Sequence, residues 1–367
     1  MDRQLLDAVC LMPPRMGQVR RGLADSPLDL LLSRAHGDAL ALPMPLFFDW
    51  SLWHRWHPAT AQALVESITR RGIAVSALHS ELGLYDTDES GDLTDRLPPE
   101  AMALRILPYR NERYGLSDQD LTHACVVDLH LVGSRDESGR FAYSAARLGR
   151  WEQTPDDKPL SGGGWVPAMN LPPDVPDASG LQSKLEQLRR LAPQAAVMIS
   201  IGPEWLENEL DWVLDAQPDA LLVRMHDVRA DGLTLASMLR GVSARMAKNN
   251  VNVPIWLTPP HGPADEHFTV DDAVKLVALG ASAIAIDDWL DDHLSSIDAV
   301  APPSSFADDP MAEPRRKVEA IVAEALDERL ERFRGLYATL AGETQSELLG
   351  SFDPDVAARL GIRVLQV

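Results

Sequence analysis

Eight short apolar runs, most of them separated by helical patterns, are the feature that most constrains how this chain can fold. The runs lie at residues 45–50, 73–79, 104–109, 126–132, 196–202, 220–226, 254–259 and 283–288. Near-continuous apolar strands that alternate with helices are typical of a parallel sheet whose two faces are both covered. Eight such units predict an α/β fold, a closed (β/α)8 TIM barrel rather than an open doubly wound sheet. No GxGxxG motif opens the first unit, which also weighs against a Rossmann domain.

Start and stop signals delimit several of the intervening helices. The first helical pattern begins at Pro58 and ends at Gly72, the proline-first and glycine-last arrangement that is common at helix ends. Thr269 is placed to cap a later helix and Gly280 to end it. Ser179 is the predicted N-cap of the helix before the fifth apolar run. These signals place helices between the strands, as a barrel requires.

The chain divides into four predicted regions. Residues 1–40 are an N-terminal extension, residues 41–300 the barrel, residues 301–314 a linker, and residues 315–367 a C-terminal helical extension. Apolar residues at helical spacing in the last region predict that it packs on the barrel exterior; a dimer contact, and hence a homo-oligomer, is the alternative. Residues 133–176 form a polar loop far longer than usual connections, either a functional excursion over the barrel mouth or a partly mobile segment.

Charge and cysteine content argue against several classes of function. The 55 Asp and Glu residues exceed the 34 Lys and Arg residues, which gives a net charge of −21, whereas nucleic acids and anionic membranes bind basic surfaces. The two cysteines, Cys10 and Cys125, form no CxxC motif, which argues against a disulfide scaffold, a thiolate zinc site and an iron–sulfur cluster. The longest apolar stretches fall short of the ~18 residues of a membrane span. We therefore expect a soluble, cytoplasmic protein whose partner is a small molecule.

Candidate catalytic residues follow the carboxyl ends of the predicted strands, where TIM-barrel enzymes carry their active sites. Asp128 and His130 alternate on the fourth strand, so both side chains would face into the barrel, where a buried carboxylate needs a partner. His226 and Asp227 follow the sixth strand. Histidine and carboxylate groups together form acid–base pairs or metal sites. These four residues are the catalytic candidates, and a structural hydrogen-bonded pair is the alternative for His226 and Asp227.

The stretch AIAIDDWLDDHL, residues 283–294, ends the eighth strand in carboxylates. An α-helix would stack Asp287 over Asp291 and Asp288 over Asp292, and each like-charge pair would cost a few tenths of a kcal/mol. A helix N-terminus favours anions by a similar amount, so a solvated acidic helix start explains the pattern without a ligand. The alternative is a divalent cation held by hard oxygen ligands, with Asp287, Asp288 and Asp291 as the candidates.

Several stretches match, in order, the motifs of one enzyme family. PLFFDWSLWHRWHP stands where the family has P-I-F-I-x-G-M-S-F-G-A-L-S, and RRGIAVSALHSELG where it has A-G-T-x-x-N-T-G-E-G-G. GGWVPA is similar to G-G-x-L-P-G, and VRMHDVRADG to a strand that ends S-G-H-D-G-G-T-G. Between about Leu40 and Ser351 the chain thus resembles the FMN-binding central domain of glutamate synthase. The resemblance implies a TIM barrel, an oxidoreductase, FMN as cofactor, and cofactor-binding residues at the matching positions Ser51, Ser76, His79, Gly163 and Gly164.

The departures from that family lie where the cofactor would bind. Flavin sites use glycines so that backbone N–H groups can approach the phosphate. Trp50 and Trp53 replace small or ring-contacting residues of the first loop, and the prolines of the loop PPHGPADEH after the seventh strand cannot donate the N–H that a phosphate would need. The strand-eight G-R or G-T is Asp287–Asp288 here, and one carboxylate at ~5 Å costs on the order of 3 kcal/mol at a dielectric near 20. We therefore predict that FMN binds weakly or not at all, and that no iron–sulfur cluster is present.

Three functions from different classes remain open. The first is a divergent glutamate-synthase-like FMN-barrel protein that is not a working glutamate synthase. The second is a cofactor-free pseudoenzyme that acts as a binding or scaffolding protein. The third is a metal-assisted lyase or hydrolase that uses the His/Asp rim, although no His-x-His or HExxH spacing supports it. In each case we expect a small-molecule ligand at the C-terminal face of the barrel.

Overall fold

A computed structural model gives the fold. It describes residues 3–4, 6–12, 30–34, 38–49, 56–78, 104–110, 118–131, 138, 140, 142–144, 165–167, 171–172, 174–175, 177–203, 206, 209–225, 230–260, 266–300, 311–340 and 348–366. In chain order the strands are β1 (Arg3–Gln4), β2 (Cys10–Leu11), β3 (Leu30–Leu32), β4 (Leu40–Leu42), β5 (Leu46–Phe48), β6 (Ala74–Ser76), β7 (Arg105–Arg110), β8 (Val126–His130), β9 (Ala142–Ser144), β10 (Trp165–Pro167), β11 (Ala196–Ile201), β12 (Ala220–Arg224), β13 (Ile255–Thr258), β14 (Glu266–His267), β15 (Ala283–Ala285), β16 (Leu349–Ser351) and β17 (Arg363–Val364).

Helices surround these strands. The α-helices of the described residues are α1 (Pro58–Thr69), α2 (Asp118–His123), α3 (Leu181–Leu191), α4 (Leu210–Asp215), α5 (Gly232–Lys248), α6 (Val270–Leu279), α7 (Leu294–Asp298), α8 (Ala312–Ala338) and α9 (Pro354–Leu360). Within the described residues, 3₁₀ segments cover Ala178–Gly180 and Asp287–His293. Within the described ranges, no helix has both the length and the apolar character needed to cross a membrane.

Eight parallel strands close into a barrel in the order β11-β12-β13-β15-β5-β6-β7-β8. Each of the eight apolar runs of the sequence supplies one of these strands, so the TIM barrel predicted from the sequence is confirmed. The polar loop of residues 133–176 is not wholly without regular structure, because β9 and β10 within it pair as an antiparallel two-stranded sheet.

Alternation along the strands divides the barrel's apolar side chains into an inner and an outer set. Phe47, Met198, Leu222 and Trp256 belong to one buried cluster inside the barrel, where the rings of Phe47 and Trp256 lie 4.9 Å apart between centroids. The intervening residues of the same strands, such as Val127, pack outward with the helices in a second cluster. The interior is therefore filled by side chains, as is usual for an eight-stranded barrel.

The amino end of the barrel is closed by the hairpin of β3 and β4. Leu32 and Leu42 are buried in the inner apolar cluster with residues at the starts of the barrel strands. Arg34 Nη1 donates to the carbonyl oxygen of Gln194, just before β11, at 2.7 Å. Because this end is occupied by apolar side chains, polar groups for a ligand remain at the carboxyl ends of the strands.

The helix signals of the sequence are largely reproduced. His57 Nδ1 accepts the amide of Ala59 at 3.2 Å ahead of Pro58. Thr269 forms a capping box with Asp272, and Gly280 ends that helix with φ of 121°. The prediction for Ser179 is wrong. Asp177 caps the 3₁₀ turn that precedes α3, and Ser179 donates its amide to the Asp177 carboxylate at 3.0 Å.

Segments from both ends of the sequence complete the fold. β1 pairs with β14, and β2 pairs with β16, which in turn pairs with β17. Helix α8 packs against α1 and buries Val318, Val322, Leu326 and Leu330. Its first residue is Ala312, inside the predicted linker of residues 301–314, because a proline is tolerated in the first turn of a helix.

Candidate functional site

Polar side chains replace apolar ones where the barrel strands end. Strand alternation places them in line with the inner apolar cluster, two residues further along each strand, or four in the case of His130. We call this set the mouth cluster; its members are Asp49, Ser76, Asp128, His130, Ser200, Arg224, Thr258 and Asp287. The cluster therefore sits above the apolar barrel core, at the end where barrel enzymes bind their substrates.

A buried ion triad forms the centre of the mouth cluster. Arg224 Nη1 donates to Asp49 Oδ2, and Arg224 Nη2 donates to Asp128 Oδ2. The three side chains are only 3%, 7% and 0% exposed, so their charges are shielded from water and depend on one another. Asp128 thus has the charged partner that a buried carboxylate needs, as expected from the sequence, and that partner is an arginine.

The ion pairs of Arg224 with Asp49 and Asp128 were not predicted from the sequence. A signal was present: Arg224 stands two residues after Leu222 in a fully buried strand, so alternation turns a guanidinium into the barrel. A buried arginine is rare without a carboxylate partner. Asp49, just after β5, is 175 residues away and Asp128, on β8, is 96 residues away, so the pairing depends on how distant strands are arranged in the barrel.

His130 pairs with Ser200 on the neighbouring strand. The two residues are in register between β8 and β11, and His130 Nδ1 lies 3.1 Å from Ser200 Oγ. Both side chains are buried, with exposures of 2% and 0%. A histidine held through one ring nitrogen can exchange a proton through the other, which is the arrangement expected of an acid–base group.

Asp287 brings a third carboxyl group to the cluster. Its Oδ2 accepts the backbone N–H of Asp49 at 3.2 Å. The residue as a whole is partly exposed, but its Oδ1 is buried and has no hydrogen-bond partner among the described residues. Burial, followed by the negative charge of Asp288 and then that of Asp291, raises the pKa of the Asp287 carboxyl well above its usual range, while Arg224 opposes the shift.

The acidic stretch after β15 is a 3₁₀ helix and not the α-helix used in the sequence argument. Three residues per turn bring Asp288 into line with Asp291, whereas an α-helix would align Asp287 with Asp291. Trp289 and Leu290 are buried and hold the segment against the barrel, so Asp287 turns inward while Asp291 is exposed. Among the described residues, no three His, Cys, Asp or Glu side chains are grouped as a metal site would need.

Several predicted site residues lie outside the described residues. These are the catalytic candidates His226 and Asp227 and the cofactor-binding candidates Ser51, His79, Gly163 and Gly164. Ser76 is described and is buried at the end of β6. Of the predicted set, Asp128, His130, Ser76 and the metal candidate Asp287 therefore lie at the carboxyl ends of the strands, where the structure adds Asp49, Ser200 and Arg224.

The described residues do not fit a bound FMN phosphate. Pro259 and Pro260 follow β13 and have no N–H to donate. Asp287 and Asp288 follow β15, where negative charge opposes a phosphate. Arg224 already pairs with two carboxylates, and a phosphate could bind it only by displacing one of them.

Comparisons with known proteins show likeness only at the level of solved structures. No family model and no curated protein matches the chain. It is similar to a mandelate oxidase, with 15% identity, coverage of 97% of this chain and 87% of that one, and a TM-score of 0.48. It is also similar to an IMP dehydrogenase/GMP reductase-like protein from Corynebacterium glutamicum, with 13% identity, 96% and 94% coverage and a TM-score of 0.49. At these identities and TM-scores the matches carry no argument about ligand or reaction.

Proposed function

We propose that this protein is a divergent member of the flavin-barrel oxidoreductases that its sequence resembles, and that its mouth binds a small molecule without a phosphate group. It is not a working glutamate synthase. The observation that supports this proposal most is the buried triad of Arg224 with Asp49 and Asp128. Nη1 and Nη2 of the guanidinium donate to two carboxylates, whose combined negative charge exceeds the charge of Arg224, so the triad has no excess positive charge.

Charge arithmetic explains why an anion is disfavoured. Two carboxylates and one guanidinium leave the triad with one net negative charge before Asp287 is considered. A phosphate that took Arg224 from Asp49 or Asp128 would leave a buried carboxylate unpaired, at a cost of about 3–5 kcal/mol. A cost of this size would cancel about half of the ~8 kcal/mol of binding free energy of a micromolar complex.

The proposed roles of the cluster residues follow from their contacts. His130, held by Ser200, is the proposed acid–base group, and Asp128 orients Arg224. His226 and Asp227 remain catalytic candidates on sequence grounds alone. A cofactor-free pseudoenzyme is the second candidate, because Asp128 is already engaged by Arg224 and is not available as a simple base.

A comparison of riboflavin with FMN tests the proposal, because the two flavins share the ring system and differ by the phosphate. We expect the purified protein to carry no stoichiometric flavin, and FMN to bind more weakly than riboflavin when flavin fluorescence is followed. The reason is repulsion between the phosphate and the acidic end of β15. Asp288→Asn should reduce the difference between the affinities for riboflavin and FMN. Asp292→Asn, at an exposed position of the same segment, is the control.

Two results would contradict the proposal. One is FMN that co-purifies at near-stoichiometric level. The other is FMN that binds more tightly than riboflavin to the unaltered protein. Either would mean that the phosphate is accommodated despite the acidic strand end.

A further inference from the structure

Residues 3–4 and 6–9, here called the strap, are bound to the start of helix α6 through their backbone. The backbone N–H of Leu6 donates to Asp272 Oδ1 at 3.0 Å, and the Leu6 carbonyl accepts from Lys275 Nζ at 3.0 Å. The two charged side chains are only 0% and 6% exposed. A buried carboxylate and a buried ammonium group therefore bind both backbone polar groups of one residue, as a receptor for a peptide would.

Strand pairing and apolar anchors add to this recognition. Strand β1 pairs in parallel with β14, which is the way an extended peptide adds to the edge of a strand. Leu6 and Val9 are buried in the outer apolar cluster, and Asp7 and Ala8 between them form an exposed turn. The turn is closed by a hydrogen bond of 3.0 Å from the Val9 N–H to the Leu6 carbonyl. The strap is thus held by a strand, two apolar side chains and a charged pair.

The strand that receives the strap lies close to the mouth. β14 is part of the β13–α6 connection, at the carboxyl end of the barrel strands. The next residue, Phe268, is buried and stacks on Trp289 with 6.4 Å between the ring centroids. Trp289 belongs to the 3₁₀ segment whose first residue, Asp287, accepts the Asp49 N–H. A continuous series of contacts therefore runs from the strap to the mouth cluster.

Trp289 is held from two sides, and only one of them involves the strap. Arg329 of α8 donates to the Trp289 carbonyl, and α8 is packed on α1 through its own buried residues. Phe268, which contacts the Trp289 ring, directly follows the strand that pairs with the strap. Coupling between distant sites is carried by packed side chains of this kind. The Phe268 ring is therefore the contact through which the strap can act on the 3₁₀ segment.

We propose that Asp272, Lys275 and β14 form a peptide-binding site whose ligand is the strap, and that the bound strap holds the acidic segment of residues 287–293 in place at the barrel mouth. When the strap leaves, β14 loses its partner strand, and the two charged side chains exchange the Leu6 backbone for water. Phe268 is then no longer fixed against Trp289, and the acidic segment loosens. The peptide that fits is extended at its start and has a leucine at the Leu6 position. The proposal is independent of which molecule the mouth binds.

Hydrogen exchange of the full chain, followed by mass spectrometry, tests the link between strap and mouth. Leu6→Ala removes an apolar anchor of the strap. Leu185→Ala is the matched control, because Leu185 is also buried in the outer cluster but lies on α3, across the barrel from β15. We expect exchange in fragments that cover β14 and residues 287–293 to be about tenfold faster in Leu6→Ala than in Leu185→Ala, since local opening governs exchange there.

Three results of this comparison would overturn the proposal. Unchanged exchange of residues 287–293 in Leu6→Ala is one. An equal increase in the two variants is another, because it would mean a general loss of stability. Faster exchange in β14 alone is the third, because the strap would then order its partner strand without reaching the mouth.

A deletion of residues 2–9 tests the peptide site itself. A fluorescent peptide with the sequence of residues 1–9 should bind the deletion variant one-to-one, as measured by anisotropy, and should restore slow exchange to residues 287–293. It should not bind the unaltered chain, whose site is occupied. The peptide with Leu6→Ala should bind about tenfold more weakly or worse, because an apolar anchor is lost. Lys275→Met in the deletion variant should weaken binding to a similar extent, because a charged hydrogen bond is lost.

Equal binding of the two peptides, or no binding to a folded deletion variant, would overturn the peptide site. Circular dichroism establishes whether the deletion variant folds. If it does not, the comparison of Leu6→Ala with Leu185→Ala in the full chain decides the proposal.

Discussion

Arg224 is the residue on which the polar part of the barrel interior depends. Its side chain is 3% exposed and joins carboxylates from β8 and from the end of β5, so it ties together strands on different sides of the barrel. The guanidinium is stabilised by both carboxylates, each carboxylate depends on the guanidinium, and little water is available to replace these contacts. The triad therefore behaves as one unit, and removing one member affects the others.

Arg224→Met tests this dependence. We expect the free energy of unfolding to fall by about 3–5 kcal/mol, because two buried carboxylates lose their counter-charge. Urea unfolding followed by circular dichroism measures the change. Arg245→Met is the matched control, since Arg245 pairs with Asp211 at 2.7 Å but both side chains are substantially exposed, and such pairs contribute about 0–1 kcal/mol. Equal effects of the two substitutions would mean that the triad is not a buried unit.

At the scale of elements, helix α6 shows how one side chain can serve both a helix and the chain packed on it. Asp272 Oδ2 accepts from the backbone N–H and hydroxyl of Thr269, while its Oδ1 accepts the amide of Leu6 at 3.0 Å. Lys275 on the same helix donates to the Leu6 carbonyl at 3.0 Å. The start of α6 thus anchors residues near β1 as well as capping itself.

Thr269→Ala should destabilise the protein by about 0.5–2 kcal/mol, because the helix loses its side-chain cap. Thr269→Ser keeps the hydroxyl and should remain close to the unaltered protein. Thermal or urea unfolding of the two variants gives the comparison. A serine variant as unstable as the alanine variant would show that packing of the threonine methyl, and not the cap, is what matters.

Local sequence signals predicted the elements well, and contacts between distant elements poorly. The eight strands and the caps at Thr269 and Gly280 follow from alternation, apolar content and end residues, which act within a few positions. The acidic 3₁₀ segment was less predictable, since the burial of Trp289 and Leu290 against the barrel decides its geometry. The pairing of Arg224 depends on which strands meet across the closed barrel, and no local pattern contains that information.

At the scale of the whole molecule, Asp287 links the site to stability. A carboxyl whose pKa is higher in the folded than in the unfolded protein holds its proton more tightly when folded. Its contribution to the free energy of unfolding is full below the unfolded pKa of about 3.9, and is lost as the pH rises through the folded value. Burial is the main cause of the raised folded pKa; Asp288 and Asp291 raise it further and Arg224 opposes them.

Asp287→Asn should therefore gain stability relative to the unaltered protein as the pH is raised. The difference should grow from the unfolded pKa up to the folded pKa and then become constant, because an amide does not titrate in this range. Urea unfolding at a series of pH values measures the difference, with Asp292→Asn as the exposed control. A constant difference across the whole range would mean that the Asp287 carboxyl has the same pKa folded and unfolded.

The pairing of the two ends of the sequence has a consequence for synthesis on the ribosome. Ser351 Oγ donates to the carbonyl of Ala8 across 343 residues of sequence. Strand β5 can pair with β15, one of its two neighbours in the barrel, only after β15 has been synthesised. Leu46 of β5 and its partner Ile284 of β15 are 284 − 46 = 238 residues apart, so at about 5–20 residues per second roughly 12–48 s separate their emergence. During that interval the nascent barrel has an open sheet edge, and such an edge can pair with other chains. The rate of translation therefore sets the earliest moment at which this protein can close its sheet.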